Sequence, residues 1–99
     1  MTTEYAEVDI EITRELAMRG SRWVCSQCPV ALAINQHLRP GLQSYVGKEM
    51  VQIVGSRSHV SQLPTVAHEF IRRFDHQLPI NFPVTFRLAL PKQVLKEAA

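Results

Sequence analysis

The sequence predicts an α+β two-layer sandwich, with a mainly antiparallel sheet of 4–5 strands and two helices on one face. Three observations lead to this fold class: period-two alternation near both ends of the chain, two segments of helical period between them, and short glycine-containing turns. Helices that cover one face of such a sheet would bury every apolar stripe. The 99 residues form a single domain, 1–99, with residues 1–6 and 91–99 expected as loose tails.

The first predicted element is a half-buried strand over residues 7–13. Its apolar residues Val8, Ile10 and Ile12 alternate with acidic residues, which places the apolar side chains on one face. Residues 14–22 then allow either a turn or a short helix, because a glycine and a serine interrupt the pattern.

A first helix is predicted to begin at Pro29. Proline at the first helical position has a preset φ and lacks an amide that would have no partner there. Cys28 is then the N-cap residue. Apolar residues recur three and four positions apart as far as Leu38, and the proline and glycine of residues 39–41 end the helix.

A β-hairpin follows the first helix. Residues 42–46 and 49–54 are β-prone, and Gly47 and Lys48 separate them as a hairpin turn would. After a second turn, residues 59–61 add a short edge strand.

A second helix and a last strand complete the predicted fold. The helix has Thr65 as its cap and ends near Gln77. The last strand alternates from Phe82 to Leu90, and Pro83 implies that it either starts there or runs along an edge. The predicted buried stripe of the second helix consists of Val66, Ala67, Phe70, Ile71 and Phe74.

Composition and charge narrow the classes of function. Eleven Lys and Arg against nine Asp and Glu give a formal charge of +2, which is small for a dedicated duplex-binding protein. No basic segment followed by an apolar one opens the chain, and no apolar run approaches the ~18 residues of a membrane span. We expect a soluble protein of the cytoplasm, the host cytoplasm if it is phage-encoded, that does not bind membranes.

Cys25 and Cys28 leave three interpretations open. In the first, both thiols pack, with Cys28 in the core and Cys25 beside Trp23. In the second, they form a redox pair, because a helix N-terminus lowers a thiol pKa. In the third, they bind zinc, for which the further ligands would come from histidines that have no usual ligand spacing. We expect that the protein binds no cofactor, and zinc is the alternative. The histidines that could supply the further zinc ligands are His37, His59, His68 and His76.

A cationic cluster is the predicted ligand- or partner-binding site. Arg72, Arg73 and His76 fall on the exposed side of the second helix, and Arg87 projects from the last strand. One guanidinium group can bind two oxygens of a phosphate or a carboxylate at once, which favours an acidic ligand or partner. The alternative interpretation of these residues is a solvent-exposed helix face without a binding role. Nucleic-acid binding would require a larger set to converge on one surface: Arg14, Arg19, Arg22, Arg72, Arg73 and Arg87.

No pattern of residues indicates catalysis. Cysteines, histidines and carboxylates are present, but no family spacing links them into a triad. Residues 57–59 follow Gly55 but lack the glycines and the lysine of a phosphate-binding loop, so they are interpreted as a turn. We therefore predict that the protein is not an enzyme.

Three segments together carry a resemblance to a known group. They are CPVALA at residues 28–33, FIRRFD at 70–75 and the phenylalanine-rich FPVTFRL at 82–88. In these segments the chain resembles short uncharacterised proteins carried by bacteriophages and prophages, over about residues 14–90. Similar chains tend to place glycine in the turn after the Phe-Asp pair, where this chain has His76-Gln77.

The resemblance implies a role rather than a set of functional residues. Small phage proteins of this kind are often binders, so we expect an accessory protein that inhibits or sequesters a host protein, including a component of a defence system, or a nucleotide-like ligand. A homo-oligomer is also expected. The alternatives are a CxxC thiol-redox or zinc-binding protein, and a nucleic-acid-binding protein.

Overall fold

The computed structural model describes residues 4–55 and 57–96. In this part of the chain, five strands, three α-helices and a final 3₁₀ helix confirm the predicted α+β class. The elements are β1 Tyr5–Ile12, α1 Arg14–Arg19, α2 Pro29–Asn35, β2 Gln43–Val46, β3 Met50–Val54, β4 Ser58–Gln62, α3 Thr65–Asp75, β5 Val84–Pro91 and the 3₁₀ helix Lys92–Val94.

The strands form two antiparallel sheets, which corrects the prediction of a single sheet. One sheet pairs β1 with β5, and the other has the order β2-β3-β4. Tyr5 lies opposite Pro91 and Ile12 lies opposite Val84, so the first and the last strand of the described chain pair over their full length. β5 starts directly after Pro83, which is one of the two arrangements that the proline implied. Periodicity shows which face of a strand is buried, but it does not show which strand is its partner.

Residues 14–19 form a helix, so the described chain has three α-helices instead of two. Thr13 is the N-cap, and its hydroxyl accepts the N–H of Leu16 at 3.1 Å. Gly20 ends the helix by donating its N–H to the carbonyl of Ala17. A Cβ at Gly20 would lie 2.6 Å from Cγ of Pro29, so only glycine lets the start of α2 approach this closely.

α2 ends at Asn35 and is one turn shorter than predicted. The side-chain oxygen of Asn35 accepts the backbone N–H of Ser44 at 3.0 Å, which ties the end of the helix to β2. Asparagine favours such local ends over continued helix. Leu38 lies beyond the helix and forms an isolated β-bridge with Leu95.

The N-terminal cap and part of the buried stripe of α3 differ from the prediction. Pro64 occupies the N-cap position without a side-chain hydrogen bond, and Thr65 is already helical, so the predicted Thr65 cap is wrong. Ala67 and Phe70 are buried as expected. Val66 is 49% exposed, because it faces an open cavity beside the helix instead of the core.

The described ends of the chain are ordered parts of the fold, where loose tails were expected. Tyr5 and Ala6 pair with Pro91 and Leu90. Val94, in the 3₁₀ helix, is 3% exposed. The remaining tail positions, residues 1–3 and 97–99, lie outside the described residues.

One core joins the two sheets through α2, which packs on both β1 and β2. The apolar faces of the long strands and of α2 supply its largest buried side chains, and the outer face of each sheet stays in solvent. No described helix reaches the length and apolarity that crossing a bilayer requires. Fully buried apolar residues of the core include Ile10, Ile12, Val30, Ile34, Val51, Ile53, Leu88 and Leu90.

Candidate binding surface

The loop between α1 and α2, residues 20–28, carries an exposed apolar tip. Trp23, the single tryptophan of the chain, is 68% exposed, and Val24 is 42% exposed. Cys25 beside them is also exposed. Large apolar side chains that remain in solvent next to one another are typical of interaction sites.

The backbone of Trp23 adopts a left-handed conformation, with φ of 64°. For a bulky residue, this conformation costs about 1–2 kcal/mol. Two contacts with the end of α3 hold it: the N–H of Trp23 donates to Oδ1 of Asp75 at 3.3 Å, and the indole meets the ring of His76 edge-to-face at 5.4 Å. The loop is therefore fixed in a shape that directs the indole outward.

The turn after α3 presents a further apolar side chain close to the indole. Gln77 has φ of 58°, and its N–H donates to the carbonyl of Phe74, while Leu78 donates to the carbonyl of Arg73 at 2.8 Å. This pair of bonds is a Schellman motif. It leaves Leu78 38% exposed, two residues from the His76 ring that touches Trp23.

An open cavity of about 540 Å³ lies between α1 and this turn. Arg14, Met18, Arg22 and Leu78 line it, and Met18 is 80% exposed. We call the loop tip and the neighbouring residues of this cavity together the Trp23 surface. Its members are Arg14, Met18, Arg22, Trp23, Val24 and Leu78.

The Trp23 surface is apolar with a positive rim. The guanidinium of Arg14 lies 5.1 Å from the ring centroid of Phe82, and this cation–π contact holds the charge at the edge of the cavity. Arg22 supplies a second positive charge, and no aspartate or glutamate of the described chain lines the cavity. The nearby Asp75 carboxylate is turned toward the backbone of Trp23.

The two thiols have different surroundings. Cys28 is 7% exposed and caps α2, its sulfur accepting the N–H of Ala31 at 3.4 Å. Burial raises the pKa of the Cys28 thiol, which opposes the acidic thiol expected of a redox pair. Both cysteines are free. Within residues 4–55 and 57–96, no three His, Cys, Asp or Glu side chains gather as metal ligands would.

The structure brings Arg72 and Arg73 together, but on a shared carboxylate. Arg72 binds both oxygens of Glu69, at 2.8 and 3.2 Å, and Nε of Arg73 binds one of them at 2.8 Å. These bonds lower the pKa of Glu69 to about 2. The Glu69 carboxylate therefore already neutralises part of this cationic cluster. His76 lies apart from the pair, against the ring of Trp23.

Arg87 does not join that cluster. It alternates with the buried Phe86 and Leu88, so its side chain lies on the outer face of the β1–β5 sheet. There it contacts Asp9 at 3.3 Å and Glu7 at 3.5 Å. The six arginines considered for nucleic acid thus divide into separate groups. Arg14 and Arg22 lie at one cavity, Arg19 lies in the last turn of α1, Arg72 and Arg73 bind Glu69, and Arg87 lies on the outer sheet face.

Sequence reasoning missed Met18 and Leu78 and treated Trp23 only as a neighbour of the thiols. The left-handed backbone of Trp23 depends on contacts with α3, 52 residues further along the chain. The one local signal was the presence of Trp, Arg and Met, which are common in interfaces, around the Gly20-Ser21 break.

Comparison with known proteins assigns no family to this surface. No family model, curated protein or solved structure matches the chain.

Proposed function

We propose that the protein is a small phage-type accessory protein that acts by binding. It uses the Trp23 surface to inhibit or sequester a host protein, such as a component of a defence system, in the host cytoplasm. The observation that supports this proposal is the Trp23 indole, which is 68% exposed and held in place by a strained backbone and two contacts with α3.

The composition of the surface is that of a binding site. Trp and Arg are enriched among the residues that dominate binding energy, and Met is enriched in interfaces generally. Burying one large aromatic side chain contributes about 2–3 kcal/mol. Because the Trp23 backbone is already fixed, little further ordering is needed when a partner covers the indole.

The charges indicate the chemistry of the partner. Arg14 and Arg22 border the apolar patch, so the matching surface is an apolar groove edged by carboxylates. A second copy of the chain fits less well, because a two-fold contact through this patch would bring two positively charged rims together without a matching carboxylate on either side. The predicted homo-oligomer would therefore use another face.

A binding role rather than catalysis also agrees with the state of the thiols. Cys28 serves as a helix cap with a raised pKa, and Cys25 lies in a small apolar cavity of about 220 Å³ beside Trp23. The thiol-redox, zinc and nucleic-acid alternatives stay predictions, to be tested by thiol titration, metal analysis and salt-dependent retention on DNA or RNA.

The proposal is tested with Trp23→Ala against a matched control, Tyr45→Ala. Tyr45 is a similarly large aromatic residue, 43% exposed, on the outer face of the three-stranded sheet. The wild type and both variants are crosslinked in host cells, and captured proteins are quantified by mass spectrometry. We expect one host protein to be enriched by the wild type and Tyr45→Ala, and to fall at least tenfold with Trp23→Ala.

Binding is then measured by calorimetry between purified protein and the captured partner. Equal capture by all three chains, or no specific capture by any, contradicts the proposal. Raising the salt concentration should lower the affinity, because ions screen the attraction between the positive rim and the carboxylates of the partner.

A further inference from the structure

A second concave region lies away from the Trp23 surface. It has a volume of about 530 Å³ and lies between the loop that follows α2 and the turn between β3 and β4. Arg39 and Arg57 line it together with His59 and Gln93, and none of the aspartates and glutamates within residues 4–55 and 57–96 does. We propose that this cavity binds a phosphate-bearing small molecule of about mononucleotide size.

The two guanidinium groups at this cavity have no carboxylate partner in the described residues. Among the other described cations, Arg72, Arg73, Arg87 and Lys92 contact acidic side chains, whereas Arg14 and Arg22 at the Trp23 surface resemble Arg39 and Arg57 in having no such contact. Arg39 instead donates from Nη1 to the backbone carbonyl of Gln93 at 3.1 Å, which leaves its other N–H groups toward solvent. Two arginines without countercharge at one concave site create a positive potential that attracts an anion.

The donors suit phosphate in particular. A guanidinium binds two phosphate oxygens at once, and two guanidinium groups can share a phosphate or bind neighbouring ones. Nε2 of His59 lies 3.1 Å from Nε2 of Gln93, a contact that positions the imidazole at the cavity wall. The volume lies within the roughly 300–1,000 Å³ of typical small-molecule sites.

Two glycines, Gly41 and Gly55, lie in the chain segments that line the cavity. Gly41 has φ of 90°, a conformation that other residues rarely adopt, and it turns the chain back after Arg39. Gly55 packs directly against the side chain of Leu42, where a Cβ would require the end of that side chain to move. From the sequence, residues 57–59 are interpreted as a turn because they lack the glycines and the lysine of a phosphate-binding loop. Arg39 and Gln93, which line the cavity with them, are distant in sequence.

The test is a titration of the full chain with ATP, with inorganic pyrophosphate and with adenosine, followed by NMR of backbone amides. We expect ATP and pyrophosphate to bind saturably, with shifts at Gly41, Gly55 and Arg57, and adenosine to leave the spectrum unchanged. Arg57→Gln should weaken ATP binding at least tenfold. In the described residues the Arg57 side chain makes no hydrogen bond, so this variant keeps the fold.

Arg87→Gln is the matched control, because it removes the same charge from the far sheet face and should leave ATP binding unchanged. Several results overturn the proposal: no saturable binding at millimolar ATP, equal weakening by both variants, binding of adenosine as tight as ATP, or tighter binding of a single-stranded oligonucleotide than of ATP. The cavity shares no residue with the Trp23 surface, so loss of partner binding in Trp23→Ala leaves this test unaffected.

Discussion

At the scale of single residues, Trp23 combines local strain with exposure. Its left-handed backbone raises the free energy of the folded chain, and its ring gives up most of the stabilisation that burial would provide. The hydrogen bond to Asp75 and the contact with the His76 ring offset part of this cost. A residue kept in this state is better explained by a partner than by folding.

Replacing Trp23 with glycine should therefore separate stability from binding. Glycine removes about 1 kcal/mol of backbone strain and loses about 0.5 kcal/mol of ring contact, so the free energy of unfolding should stay within about 1 kcal/mol of wild type. Partner binding should weaken by about 2 kcal/mol, roughly 30-fold. Urea unfolding followed by circular dichroism and calorimetric titration measure the two effects; a loss of stability above about 2 kcal/mol would show that the indole serves the fold instead.

Cys28 should act through its cap rather than its reactivity. Cys28→Ser keeps an acceptor for the N–H of Ala31 and should change the free energy of unfolding by less than about 1 kcal/mol. Cys28→Ala loses the acceptor and should cost about 1–2 kcal/mol. Both variants lack the thiol, so equal stabilities would refute the capping role.

The Cys28 thiol should also make the free energy of unfolding depend on pH in the alkaline range. Its pKa is raised in the folded chain, so the neutral form stabilises the fold below the unfolded thiol pKa of about 8.5, and this contribution is lost as pH rises through the folded pKa. We expect wild type to lose stability above about pH 8.5 more steeply than Cys28→Ser does. Denaturant midpoints measured across alkaline pH show the difference; parallel curves would contradict it.

At the scale of elements, the end of α3 shows what the sequence could and could not predict. Apolar residues three and four positions apart predict a helix over this segment that ends near Gln77, close to the observed end at Asp75. The Schellman motif was not predicted, because Gln77 replaces the glycine that usually signals it. Similarly, Val66 fits the apolar stripe by spacing, but no neighbouring element covers it.

Glycine at position 77 should stabilise α3. The left-handed φ of Gln77 costs a non-glycine residue about 1 kcal/mol, so Gln77→Gly should raise the free energy of unfolding by about 0.5–1 kcal/mol. Gln36→Gly, at the end of α2 with φ of −63°, is the control and should destabilise. Thermal and urea unfolding measure both changes, and a destabilised Gln77→Gly would contradict the role of this turn.

Glu69 should make the free energy of unfolding depend on pH in the acidic range. Its hydrogen bonds from Arg72 and then Arg73 lower its pKa to about 2, so the carboxylate stabilises the fold above its unfolded pKa of about 4.3. This contribution is lost as pH falls through about 2. Wild type should therefore lose more stability than Glu69→Gln between about pH 4.3 and 2, as measured by urea midpoints. An identical acid response in both chains would exclude the cluster as its cause.

At the scale of the whole molecule, α2 connects two sheets that the sequence predicted as one. The strands themselves could be predicted, because the apolar residues of β1, β3 and β5 alternate clearly. Their partners could not, since pairing across the whole chain leaves no local signal. The cavity at Arg39 and Arg57 could not be predicted for the same reason, because these two residues come from loops that are distant in sequence.

A buried polar link should make the two sheets unfold together. Ser44 is fully buried, and its N–H and hydroxyl lie 3.0 and 2.7 Å from Oδ1 of Asn35. Asn35→Ala leaves these groups without that acceptor, so the free energy of unfolding should fall by about 1–3 kcal/mol. Gln36→Ala, at the exposed neighbour, should change it by less than about 0.5 kcal/mol. Tryptophan fluorescence and circular dichroism should report one shared transition in each chain, whereas separate transitions would show that α2 does not couple the sheets.

The pairing of β1 with β5 also constrains the order of events during synthesis. β1 has no strand to pair with until the ribosome has synthesised residues 84–91. Its apolar face therefore stays without its strand partner while most of the chain is being made. A nascent chain that stalls before Val84 would therefore expose Val8, Ile10 and Ile12 to chaperones and proteases.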